Sequence, residues 1–117
     1  MNRLNESIRY LFSIFIDRLI MTLAEFKASL KLMEPPDVKV VLLTALWYDA
    51  KGEWDRAHEI SQSIHTVRGS WVHAYLHRKE GDVANAAYWY TRAGKDMPLM
   101  KLEDEWEKIA SILLSVE

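Results

Sequence analysis

His73 and His77 stand four residues apart, a spacing that places both imidazoles on one face of a helix, where they could share a metal ion. A zinc site of that kind needs a third ligand and outer partners that orient the rings. No HExxH pattern surrounds the pair, and the chain contains no cysteine. The expectation is therefore two packing histidines whose nitrogens are hydrogen-bonded, with no metal and no cofactor. The alternative is that the pair lines a pocket for a small molecule.

A second group has binding character. Trp71, Tyr75 and Arg78 follow an i, i+4, i+7 pattern and share a helix face, bordered by Arg68 and Lys79. An aromatic platform beside several cations can hold an acidic peptide or a carboxylate terminus. The competing expectation is that the two aromatics pack against the preceding hairpin while the cations stay solvated.

Catalytic patterns are weaker. Ser70 follows Gly69 without a G-x-S-x-G elbow, and no glycine-rich phosphate loop occurs. Glu80 and Asp82 flank Gly81, where Asp82 already suits the start of a helix. No catalytic residue is assigned, and a non-enzymatic role is favoured. The absence of cysteine also removes disulfides and thiol chemistry, in keeping with a cytoplasmic location. A net charge of −2 gives no general attraction to nucleic acid or to an anionic membrane.

These residues must be positioned by helices, because no stretch shows convincing strand alternation. Residues 1–20 carry one apolar stripe through Leu4, Ile8, Leu11, Phe12, Phe15 and Leu19. They read as an added amphipathic helix or an extension before Met21, with membrane-surface association or dimerisation as further readings. The near balance of Arg3, Arg9 and Arg18 against Glu6 and Asp17 speaks against a membrane. From Met21 onward, residues 21–117 read as one domain. Thr22 and Glu25 form a capping box for a helix over 23–33, ended by Pro35-Pro36. Asp37 then suits the cap of a largely apolar central helix over 38–51. VKVVLL alone would serve equally well as a strand, but the apolar pattern runs on too far. Gly52 ends that helix. A loop over 65–69 precedes a helix capped by Ser70 and ended by Gly81. Asp82 caps the next, and a last helix over 102–116 carries Glu103, Asp104 and Glu105 where its dipole favours negative charge. In the run Tyr88-Trp89-Tyr90, Tyr90 should face inward and one of the other two outward.

The order contains a repeat. Ala45, Gly52 and Ala57 recur as Ala74, Gly81 and Ala86 at an offset of 29. The glycines serve as turns, and the small residues let the paired helices approach closely. Residues 39–98 resemble the tetratricopeptide repeat, with Tyr90, Ala93 and Pro98 standing where that repeat places its later aromatic, last small residue and terminal proline. The family's period is about 34, Ser61 and Ile64 replace an aromatic and an alanine in the first unit, and neither unit has the opening tryptophan. The HAYLHRKEGD…NAAYWYTRAG core is similar to that of a set of short uncharacterised proteins. The resemblance implies an all-α fold of six to seven antiparallel helices in a right-handed superhelix. It implies a protein or peptide partner, acidic if the cationic face is used, or a second copy of the chain. In that family the corresponding face lines a peptide groove, so Trp71, Tyr75 and Arg78 are the expected lining.

Overall fold

The computed structural model describes residues 21–115, and the expectations for residues 1–20 lie outside them. The described chain is all helical: α1 (Leu23–Ala28) runs into a 3-10 turn (Ser29–Lys31), followed by α2 (Val41–Ala50), α3 (Trp54–Gln62), α4 (Val67–Glu80), α5 (Val83–Arg92) and α6 (Leu102–Leu114). The capping box forms as expected, with Glu25 N–H donating to Thr22 Oγ1 at 3.1 Å and Thr22 N–H to Glu25 Oε1 at 2.9 Å. This helix is shorter than its sequence pattern, tightening into the 3-10 turn before Leu32.

The start of α2 departs from expectation. Asp37 does not cap it. Val40 is the boundary residue, in extended geometry and with no side-chain bond to the helix. Between the two prolines and α2 the chain is irregular, with Val38 and Val40 half-buried against the core and Lys39 and Val41 exposed. Once helical, the segment buries Leu42, Leu43, Ala45, Leu46 and Trp47 and is the central helix.

Two hairpins follow. Gly52 (φ 85°) and Gly81 (φ 89°) adopt left-handed backbone, and a Cβ at either would meet nothing. Glycine is needed there for the backbone angle alone. The N–H after each glycine bonds back across the last turn, Glu53 to Tyr48 O at 2.9 Å and Asp82 to His77 O at 3.0 Å, satisfying carbonyls the helix end would leave free. Ala45, Ala57, Ala74 and Ala86 are all fully buried. The hairpins α2–α3 and α4–α5 pack through α3 against α4, and Trp54 Nε1–H ties them by donating to Leu76 O at 2.8 Å.

A second departure is at α4. Ser70 lies inside the helix, which begins a turn earlier with Thr66 Oγ1 accepting from Gly69 N–H at 3.0 Å. Gly69 is part of the helix and faces the Ile64 carbonyl so closely that a Cβ would collide with it. It marks a close approach of backbone, which its type alone does not distinguish from a loop.

The helix α6 crosses the open faces of α2 and α4 and meets α1 at its other side. Trp106 stacks on Phe26 with ring centres 5.7 Å apart and donates to Leu46 O at 3.0 Å. No described helix is long and apolar enough to cross a membrane.

Candidate functional site

The face carrying Trp71, Tyr75 and Arg78 is covered. Trp71 and Tyr75 are buried beneath α6, and Arg78 is largely so. The expected open groove is filled by α6, because the two hairpins need a third layer to cover α2 and α4. The face holds a carboxylate, that of Glu105. Trp71 Nε1–H donates to it at 3.1 Å, Arg78 Nη1 at 2.7 Å and the Tyr90 hydroxyl at 2.6 Å. Arg78 also donates to Met100 O. Glu105 lies in the first turn of α6, where its charge was expected, and is 1% exposed. Lys79 is likewise engaged, donating to the buried Asp49 carboxylate at 3.0 Å beside the Tyr75 hydroxyl at 3.2 Å. Burial and these carboxylates push both tyrosine hydroxyls far above their ordinary range, so they act as donors. Arg68 is exposed and apart from the group.

The histidines form a different site. His73 and His77 project from α4 toward α3, where His58 meets them. His58 Nε2 and His73 Nε2 are 2.9 Å apart, so one of them donates to the other. His77 Nδ1–H donates to Glu80 Oε2 at 2.7 Å, which leaves His77 Nε2 as the free nitrogen. One nitrogen from each of the three rings lies within 4.8 Å of the others. Indoles fix the ring planes: Trp89 stacks on His73 at 4.0 Å and Trp54 on His58 at 4.8 Å. Burial, then the neighbouring imidazoles of His58 and His77, lower the His73 pKa to about 4. His58 is lowered too, by burial first and by His77 second, against the opposing pull of Glu80 and Asp55. Both rings are therefore neutral at pH 7. Among the described residues His73 Nδ1 is buried without a hydrogen-bond partner, and either tautomer of the His58–His73 pair leaves it so.

His58 was missed in the sequence because it sits on another helix. The signal was present as Trp54 and His58 at i, i+4, beside the close-packing Ala57 that faces the next hairpin.

His73 also lines a cavity of about 390 Å³ between the end of α3, the start of α4 and the end of α5. His65, Thr66, Ser70, Trp89 and Arg92 contribute to its wall. Arg92 lies over the rings of Trp89 and Tyr88, at 5.4 and 5.8 Å. Tyr90 faces inward and Tyr88 outward, as the helical spacing requires. The first turn of α4 forms part of the cavity wall.

No protein-family model matches the chain, and no curated protein or solved structure matches it either.

Proposed function

We propose that the protein is a non-enzymatic interaction module of tetratricopeptide-like type, its two hairpins stacked as in that right-handed superhelix, and that it holds an acidic peptide through the cavity at the start of α4. The observation that carries this reading is a cavity walled by His73, Trp89 and Arg92, with His73 Nδ1 buried and without a hydrogen-bond partner among the described residues. A bound carboxylate would accept hydrogen bonds from the donors that line the cavity, Arg92, Thr66 and Ser70 among them. Arg92 supplies the charge complementarity, and the cavity has room for one acidic side chain or chain end. Titration with tetraglutamate, followed by heat or tryptophan fluorescence, tests the reading. Binding that exceeds tetraglutamine and weakens about tenfold or more in Arg92→Glu is expected, roughly 1.4 kcal/mol. Equal binding of the two peptides, or an indifferent Arg92→Glu variant, would sink it.

The Glu105 clasp favours a second reading. A face that holds Glu105 and Trp106 of its own α6 could hold the same pair from a partner helix or a second copy, with α6 displaced. In that case the Trp71, Tyr75 and Arg78 face is a peptide groove occupied in cis. A peptide spanning residues 101–115 competes for it; unchanged mobility in gel filtration across peptide concentrations argues against this reading.

A further inference from the structure

We propose that His58, His73 and His77 form a binding site for a late first-row divalent cation such as Zn²⁺, with the Glu80 carboxylate as the outer partner that orients His77. The site takes Nε2 of His58 and of His73, which face each other, with one nitrogen of His77, and does not depend on the peptide reading.

Three features of the geometry support it. The three imidazoles come from two packed helices and offer one nitrogen each within 4.8 Å of one another. Nitrogens bound to a tetrahedral zinc at about 2.0–2.1 Å stand about 3.3–3.4 Å apart. The His58–His73 pair at 2.9 Å needs to open by only a few tenths of an ångström. His77 gives its Nδ1–H to Glu80 and so presents Nε2 as a bare lone pair, the carboxylate–histidine–metal arrangement that fixes tautomer and strengthens the ligand. Finally, the stacked indoles of Trp54 and Trp89 hold two of the rings in place, so little ordering is left for the metal to impose.

Selectivity follows from the donors. Imidazole nitrogens suit Zn²⁺, Cu²⁺, Ni²⁺ and Co²⁺ and discriminate against Mg²⁺ and Ca²⁺, which prefer oxygen. The three protein nitrogens leave a fourth position for water or an incoming ligand. His58 is only half-buried, while His73 and His77 are buried, so the open position and the entry path lie on the His58 side. With the metal on both Nε2 atoms, the proton of His73 is forced onto Nδ1, giving a defined donor at the atom that now has no partner.

The test is a Co²⁺ titration of the unmodified chain, read by visible absorption, with Zn²⁺, Mg²⁺ and Ca²⁺ as competitors. One Co²⁺ per chain is expected, with the intense bands of a four-coordinate nitrogen site, displaced by Zn²⁺ and untouched by a hundredfold excess of Mg²⁺ or Ca²⁺. His58→Gln, at the half-buried position, should weaken binding at least about a hundredfold while circular dichroism stays that of the parent chain. His65→Gln, the histidine outside the cluster, should bind as the parent does. Glu80→Gln should weaken binding about 10- to 100-fold, with the absorption bands shifted, because His77 loses its charged partner. The proposal is overturned if the parent chain gives only the weak spectrum of hydrated Co²⁺, or if His58→Gln binds as tightly as His65→Gln. The absorption of the parent chain decides even if a variant fails to fold.

Discussion

A carboxylate can stay ionised in a core only while its donors remain in place, and Glu105 depends on Trp71, Arg78 and Tyr90. Arg78→Met removes the only one of these donors that carries a charge. The expected loss is about 3–5 kcal/mol in urea unfolding, a large part of a small domain's stability. Adding Glu105→Leu should recover part of that loss, since no unpaired charge then remains. If Arg78→Met alone costs under about 1 kcal/mol, Glu105 is not held as described. The histidines set a pH dependence in the metal-free chain. The folded pKa of His73, about 4, lies below its unfolded value of about 6.5, so the unfolded chain binds more protons between them. Stability from this group is full above about pH 6.5 and is lost as pH falls toward 4, by up to roughly 3 kcal/mol. Urea midpoints at pH 7 and pH 4.5 check this; His73→Gln should flatten the difference, and an equal slope in both chains would refute it.

At the scale of elements, the start of α4 separates residues that look alike in sequence. Thr66→Ala should cost about 1 kcal/mol by removing the cap, and Ser70→Ala should stay within about 0.5 kcal/mol. Gly69→Ala should cost more, about 1–3 kcal/mol, because the new methyl meets backbone that cannot swing aside. Thermal melts of the three variants rank them; a Ser70→Ala loss equal to that of Thr66→Ala would restore Ser70 as the cap. The turn glycines, the Thr22–Glu25 box and the Asp82 cap were legible because each acts within a few residues. The first turn of α4 was not, because Gly69 owes its identity to Ile64, a contact outside its own helix. The start of α2 was hidden for a related reason: a valine pair after prolines suits strand-like geometry and helix alike, and packing decides between them.

At the scale of the molecule, what the sequence left out was destination. The last helix over 102–116 was readable, and so was the aromatic-cationic face of α4, but not that each is the other's partner. The pairing joins residues such as Leu46 and Trp106 that are far apart in the chain. The candidate histidine site was half visible for the same reason, with two ligands on one helix and the third on its neighbour. If α6 completes the core, a chain ended after residue 100 should lose cooperative unfolding and bind an apolar dye. A peptide of residues 101–115 added in trans should restore it. A truncated chain that still melts sharply would show that the two hairpins are sufficient alone.

The position of α6 also sets an order in time. During synthesis the hairpins emerge first, with Trp71 and Tyr75 uncovered, and they wait for the last described helix before the face can close. Each newborn chain therefore spends its first moments with an adhesive aromatic surface open. In that interval a chaperone, a neighbouring nascent chain or a partner's helix can reach the face before α6 does, whereas afterwards the tethered helix has the advantage.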